Sequence, residues 1–469
     1  MRSHSLSAAG VLFLSAVGLF AWTRPADQSK QERKAPPASV PFQRTLPGLN
    51  QEGYVQLPNQ WRLKPVGRHL ELGDFPVNIA IHPTGQYAAV LHAGYRDHEV
   101  VIVDLNKART RVLSRVTVDQ AFYGLAWSPE GKQLFASGGE FEVVHVFDFE
   151  QGYLKKSKSL DVSRLEKETP KERVVVGGLT LDAAGRELFV ASPWGDCVVR
   201  VPLDNPDNRV LIPTTPEPVK KKEAAKGDPP SPPDGRKDPD ANPAAKKLAD
   251  PPARDLGAFP YVCLLEKGGQ RAFVSLWNRA AVAAIDLEKN AILATWPTAE
   301  HPTEMVLSPK GDALFVACAN STKVSVLDPA TGKGLQTINC SLYPQAPSGN
   351  TPNSLAITPD GEMLFVANAD ANNLAVFNVA DRALAKPLGF IPTGWYPTSV
   401  RFNKLDSRLY FANGKGLVSK PNRSGPNPMA PLANNLGEYI GGLFRGTLGV
   451  LDLPTPEKMA EFTETAYAC

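Results

Sequence analysis

The 469 residues predict an all-β fold: a seven-bladed β-propeller of four-stranded antiparallel blades, its ring closed by an N-terminal strand in the last blade. Three observations carry this expectation. First, a hairpin phrase recurs. Ser308-Pro309-Lys310-Gly311 runs into Leu314-Phe315-Val316-Ala317, and Thr358-Pro359-Asp360-Gly361 into Leu364-Phe365-Val366-Ala367. His82-Pro83-Thr84-Gly85, Ser128-Pro129-Glu130-Gly131 and Asp182-Ala183-Ala184-Gly185 are earlier copies. With the worn copies Glu266-Lys267-Gly268-Gly269 and Asn403-Lys404-Leu405-Asp406 they make seven. Proline sets φ at the first turn position and glycine takes the positive φ that closes the hairpin, so each phrase joins two antiparallel strands. Second, a third strand follows as an apolar run ending in Asp or Asn, as in Val101-Ile102-Val103-Asp104, Val326-Leu327-Asp328 and Val376-Phe377-Asn378. A turn such as Pro329-Ala330-Thr331-Gly332-Lys333 then leads to a fourth strand at Leu335-Gln336-Thr337-Ile338. Third, the copies stand roughly 40–50 residues apart, the period of a propeller blade. One such sheet cannot bury both faces, and radial stacking supplies the core.

In chain order, Arg2 precedes the apolar run Leu12-Phe13-Leu14-Ser15-Ala16-Val17-Gly18-Leu19-Phe20-Ala21, which reads as a secretory signal over residues 1–22 or as an uncleaved N-terminal anchor. Ala21 suits a cleavage site and Leu19 does not, and the run is short for a spanning helix. An extracytoplasmic protein, periplasmic or secreted, is expected, touching a membrane only through an uncleaved anchor. Residues 23–53 read as a flexible tether and 54–454 as the propeller. The segment 61–72 has no partner of its own, whereas the last unit stops one strand short after Thr447-Leu448-Gly449-Val450-Leu451-Asp452. The early segment therefore completes blade seven and leaves no open sheet edge. Residues 216–255, with Lys220-Lys221-Lys222-Glu223 and Asp228-Pro229-Pro230-Ser231-Pro232-Pro233, lack apolar periodicity and read as a disordered insertion between blades three and four. Residues 414–445 form a long, Pro-containing loop of the last blade. In 455–469, Thr455-Pro456 starts a helix with Met459, Phe462 and Ala466 on one face. Of the five cysteines, Cys318 and Cys340 lie in a second and a fourth strand with a strand between them, and Cys197 and Cys263 in different blades, an arrangement that favours mostly free, partly buried thiols over a disulfide framework. A formal net charge of only +3 gives no indication of a nucleic-acid surface.

Propeller topology puts the loops that enter the innermost strands and those joining strands two and three on one face, with the Pro-x-Gly hairpins on the other. The first face gathers the candidate binding residues. Asn78, Tyr123, His301, Glu304, Asn353, Trp395 and Tyr396 lie at the strand starts, and Trp194, Asn278, Asn320 and Asn368 lie in the second set of loops. Such side chains offer donors, acceptors and stacking faces to a ligand or peptide. The plainer reading is that they satisfy neighbouring backbone or cover blade seams. No catalytic or metal site is assigned. His92 and His98 bracket a loop without a third ligand, and Glu304 with His301 reads as an acid/base pair or as channel lining. No nucleophile elbow, phosphate loop or Cys-x-x-Cys-His is found, so no cofactor is expected.

The pattern of Pro, strand, Ser/Thr-Pro-Asp-Gly, Leu-Phe-Val-Ala-Asn and Val-Asp resembles the YVTN repeat of YncE-like β-propellers over nearly all of residues 54–453. The stretches Leu72-Gly73-Asp74-Phe75-Pro76-Val77-Asn78, Phe122-Tyr123-Gly124-Leu125-Ala126-Trp127 and Glu438-Tyr439-Ile440-Gly441-Gly442-Leu443-Phe444-Arg445-Gly446 are similar to the propeller half of bacterial proteins that join such a propeller to an alkaline-phosphatase-family phosphoesterase. In that family the phosphoesterase follows the last propeller strand and holds the metal ligands and nucleophile, so no residue of this sequence takes over a catalytic role. The resemblance implies an exported, non-catalytic propeller that binds a ligand or a protein partner, a phosphoesterase domain included. Two alternatives stand beside it: a lactonase-type hydrolase, since related repeats occur in sugar-lactone hydrolases, and a quinoprotein-like redox subunit, as in the propeller chains of amine dehydrogenases.

Overall fold

The computed structural model describes residues 46–163, 173–215, 257–419, 422, 424–426 and 438–469. The signal or anchor, most of the tether, the 216–255 insertion and residues 420, 421, 423 and 427–437 of the last blade's loop lie outside them. The described chain forms seven four-stranded antiparallel sheets and one small three-stranded sheet. Blade 1 is Pro76–Ile81, Tyr87–His92, His98–Asp104 and Arg111–Val118; blade 2 is Leu125–Trp127, Gln133–Ser137, Val143–Glu150 and Tyr153–Asp161. Blade 3 is Leu179–Leu181, Glu187–Ser192, Cys197–Pro202 and Val210–Pro213; blade 4 is Pro260–Leu265, Arg271–Leu276, Ala281–Asp286 and Ala291–Pro297. Blade 5 is Pro302–Leu307, Leu314–Cys318, Lys323–Leu327 and Gly334–Asn339; blade 6 is Pro352–Ile357, Met363–Asn368, Asn373–Asn378 and Lys386–Pro392. Blade 7 is Trp395–Asn403, Arg408–Gly416, Thr447–Asp452 and, from the start of the chain, Arg68–Glu71.

The repeated phrase builds both the turn and the core. The glycine N–H reaches back to the first residue of the phrase, as in Gly311 N to Ser308 O at 2.8 Å and Gly361 N to Thr358 O at 2.9 Å. The Ser308 hydroxyl then accepts from the N–H groups of Asp312 and Ala313, which explains the preference for a short oxygen-bearing side chain at that position. In the strand that follows, period-two alternation sends the Phe of blades 2–6 toward the next blade and its apolar flanking residues toward the previous one, and Tyr410 takes the Phe's place in blade 7. Phe315 thus meets Leu364 and Val366 between blades 5 and 6, and Phe135 meets Leu188 and Val190 between blades 2 and 3. Seven apolar clusters result, one at each blade seam, the seam between blades 7 and 1 included.

Two hairpin glycines share a left-handed φ and differ in surroundings. Gly311 (φ 74°) has open space where a Cβ would stand, whereas a Cβ on Gly131 (φ 75°) would run into the His82 ring of the neighbouring blade. Gly311→Ala should cost about 1–2 kcal/mol from backbone strain alone, and Gly131→Ala clearly more. Equal denaturant midpoints for the two variants would contradict this account of how the hairpin turns pack.

Ring closure is narrower than the segment 61–72. Glu71, Leu70, His69 and Arg68 pair with Thr447, Leu448, Gly449 and Val450. Arg62–Leu63 instead joins Gly48–Leu49 and Val55–Gln56 in the small sheet. The chain breaks direction between them because Pro65 offers no ladder N–H and Gly67 takes φ 83° against the Val450 carbonyl. Residues 46–53, read as the end of the tether, include one strand of this sheet. The C-terminal helix Pro456–Ala468 is capped by Thr455 and lies on the outer strand of blade 6, where Thr463 Oγ1 accepts from the Phe390 N–H at 2.9 Å and blunts the sheet edge. Met459 and Ala466 are buried on its inner face with Phe462 packed beside them. The helix end meets the small sheet through Arg62, whose guanidinium donates to Ala468 O at 2.6 Å. All five cysteines are free, and four are buried. Among the described residues no helix is long and apolar enough to cross a membrane.

Candidate functional site

The innermost strands begin with a repeated irregularity. Phe75, Phe259, His301, Thr351 and Tyr396, each just before a proline, have φ between 47° and 64°. Residues before proline ordinarily stay extended, and bulky side chains avoid this region. Each is followed by a register shift at the strand start, a bulge that re-aims the next residues toward the ring axis. Carbonyls of the strained residues cap the neighbouring strand, as His301 O does for Ala319 N at 2.9 Å.

Three of the predicted residues meet in the channel around one that the sequence reading missed, Arg401. Its guanidinium donates to Glu304 Oε1 at 2.7 Å, Asn78 Oδ1 at 2.8 Å, Ser354 Oγ at 3.1 Å and the carbonyl of Ile79 at 2.9 Å. The Tyr123 hydroxyl donates to Glu304 Oε2 at 2.8 Å, and Asn78 Nδ2 donates to the carbonyl of Tyr123 at 2.9 Å. Blades 1, 2, 5, 6 and 7 are tied in one knot. Burial pulls Arg401 down, but Glu304 and Tyr123 outweigh it and hold the guanidinium above its ordinary value. Burial, then the Glu304 carboxylate, pushes the Tyr123 phenol well above its own. The knot is internally satisfied: each Glu304 oxygen already has a donor.

Aligning the turn phrases shows the signal that would have found it. The position of Arg401 holds Ala80, Ala126, Thr180, Leu264, Val306 and Ala356 in the other blades. That of Glu304 holds Asn78, Gly124, Gly178, Val262, Ser354 and Ser399. One cation and one anion stand alone in two otherwise uncharged columns.

A second group lies on the rim between blades 6 and 7. Trp395, Tyr396, Asp370, Asn372 and Lys415 line a cavity of about 210 Å³ together with Ala369 and the Pro58-Asn59 turn of the small sheet. Lys415, expected in the long loop, instead sits in the extended second strand of blade 7. Its ammonium lies 4.2 Å from the Tyr396 ring centroid, 5.5 Å from Trp395 and 6.0 Å from Phe444, whose ring meets Trp395 edge-on at 5.7 Å. Burial lowers the Lys415 pKa, with Asp370 opposing, and burial raises that of Tyr396 to about 12. The end of the loop that carries Phe444 is anchored on blade 1, where Arg96 donates to Gly442 O at 2.9 Å and Tyr95 packs on Tyr439.

The other candidates are dispersed. His301 stacks on Trp277 at 4.1 Å. Asn278 donates to Gly257 O, and Asn368 is fully buried, donating to Cys340 O and Asn373 Oδ1. Trp194 and Asn320 are exposed, and the buried Asn353 Oδ1 has no partner. No group of His, Cys, Asp or Glu suited to a metal ion occurs among the described residues.

A family model described as Lactonase, 7-bladed beta-propeller matches residues 302–417, from blade 5 to the second strand of blade 7. The fold is a seven-bladed β-propeller. Comparison with curated proteins returns no match. Among solved structures, the chain is similar to Kuenenia stuttgartiensis hydrazine synthase, at 15% identity and a TM-score of 0.53 over 75% of this chain and 96% of that one. It is also similar to the β-propeller domain of Myceliophteria thermophila Cps50 (Swd1), at 14% identity and a TM-score of 0.53 over 74% and 96%. At these identities the likeness shows the fold alone.

Proposed function

We propose that this chain is an exported, non-catalytic β-propeller binding module that takes its ligand on the face where the innermost strands begin. The observation that carries the reading is the contrast between the two groups on that face. The channel charges satisfy one another, whereas the rim cavity at Trp395, Tyr396 and Lys415 is open, aromatic and holds a cation with no ion pair among the described residues. The secretory-type run at the start of the sequence supports export, and the repeat residues shared with phosphoesterase-linked propellers make a phosphoesterase domain a candidate partner. A lactonase-type hydrolase is the second reading, favoured by the family match over residues 302–417. Against it, Glu304, the channel carboxylate in that stretch, is already held by Arg401 and Tyr123.

A thermal-shift screen of the purified protein against amino acids, organic acids, sugars, nucleotides and lactones tests both readings. Stabilising compounds should bind at least about tenfold more weakly, about 1.4 kcal/mol, to Trp395→Ala, whose own melting temperature stays close to that of the parent. Binding unaffected by this change would move the site off the rim. Turnover of a lactone above the buffer rate would hand the assignment to the hydrolase.

A further inference from the structure

The rim cavity carries opposite charges that do not pair. Lys415 enters from blade 7 with its ammonium facing the Tyr396, Trp395 and Phe444 rings, and among the described residues it has neither a hydrogen bond nor an ion pair. Asp370 enters from the loop between the second and third strands of blade 6. Its carboxylate is fixed from behind by the Thr351 hydroxyl at 2.5 Å. Both side chains line the same space, yet they form no salt bridge. Lys415 is half-buried, and a cation drawn partly out of water gains from an anion, because desolvating an unpaired charge is costly. A ligand can supply the missing contact.

The neighbours narrow its chemistry. Asn372 Oδ1 accepts from the Tyr396 N–H at 2.9 Å, so its oxygen is occupied and its NH2 donors are left for the cavity. Likewise Asn59 Oδ1 accepts from the Trp61 N–H at 3.1 Å and leaves its own NH2. Tyr396 is held at φ 64° before Pro397, which fixes its ring as one wall. A volume of about 210 Å³ is below the roughly 300–1,000 Å³ of pockets for drug-sized ligands, so the occupant is small. A simple carboxylate would meet Lys415 and be repelled by Asp370, and a simple amine would meet the reverse. Only a molecule bearing both charges satisfies both walls.

We propose that this cavity binds a small zwitterion of the α-amino-acid class, its carboxylate on Lys415 and the Asn372 amide, and its ammonium on Asp370. The aromatic walls take the aliphatic part. This rests on the reading of the rim as a binding site and adds the ligand class to it.

Isothermal titration of the purified protein with glycine, alanine, leucine and phenylalanine, against propionate and butylamine as single-charge analogues, is the test. At least one amino acid should bind about tenfold or more tightly than either analogue. Lys415→Met should weaken that amino acid at least about tenfold, and so should Asp370→Asn, while Asp370→Asn leaves propionate unchanged or tighter. Should Lys415→Met fold poorly, Lys415→Gln keeps a polar chain without the charge and must show the same loss. The proposal is overturned if the analogues match the amino acids or if the two charge changes leave amino-acid affinity intact. Trp395-dependent binding confined to uncharged or singly charged compounds would overturn the ligand class and spare the rim reading. Absence of any Trp395-dependent ligand would overturn both.

Discussion

Arg401→Met should destabilise the propeller by about 3–5 kcal/mol, the cost of stripping one partner from a buried ion pair. The guanidinium is the hub of the channel knot, and its loss leaves the largely buried Glu304 carboxylate with, among the described residues, the Tyr123 hydroxyl as its donor. Four further acceptors, on Asn78, Ser354 and the Ile79 and Val400 backbone, lose the same donor group. An exposed pair would behave otherwise, since surface ion pairs contribute about 0–1 kcal/mol. Exposure decides between them: the Arg401 side chain is 23% and the Glu304 side chain 10% accessible. The double change Arg401→Met with Glu304→Met should recover much of the loss, because two apolar groups leave no stranded charge. Denaturant midpoints of the parent, the two single variants and the double variant complete the cycle. A loss below about 1 kcal/mol for Arg401→Met would show that water, not protein, carries that charge.

What was legible in the sequence is what depends on near neighbours. The Ser/Thr-Pro-x-Gly phrase encodes its own turn, because the donors its first side chain captures lie four and five residues ahead. The Leu-Phe-Val-Ala runs encode which seam each side chain enters, and a count of strands per unit exposed the missing partner of Thr447–Asp452. The channel knot is of another kind. Arg401 finds Glu304 97 residues away and Asn78 323 residues away, and only comparison of its position across all seven repeats marks it. Local rules even pointed the wrong way at the strand starts. A residue before proline favours extended backbone, yet Tyr396 and Thr351 are left-handed because the bulge that aims the next residues at the axis requires it. Lys415 reads from sequence as a residue of the 414–445 loop, yet it is a strand residue beside Trp395 and Tyr396.

A chain beginning at Leu72, and so lacking the closing strand, should lose most of its stability or aggregate, whereas one beginning at Val66 should stay close to the parent. The difference between them is the four-residue strand Arg68–Glu71 and the backbone pairs it makes with Thr447–Val450. Each net backbone hydrogen bond contributes about 0.5–1.5 kcal/mol. Leu70, partly buried, also packs against the seam between blades 7 and 1 and contributes part of the roughly 1.5–3 kcal/mol that full burial of such a side chain gives. His69, edge-on to Phe411 at 5.8 Å, goes with them. Together these approach the roughly 5–15 kcal/mol that holds a typical domain folded. The shorter truncation, to Val66, removes the small sheet and its Arg62 contacts to the C-terminal helix, which lie outside the ring. The kinetic consequence is as large as the thermodynamic one. Without the clasp, Thr447–Asp452 becomes an open β-edge with free N–H and C=O groups, a template for edge-to-edge association. Melting and light scattering of the two truncations separate the possibilities. If the chain from Leu72 melts with the chain from Val66 and stays monomeric, the seams alone hold the ring and the N-terminal strand is dispensable.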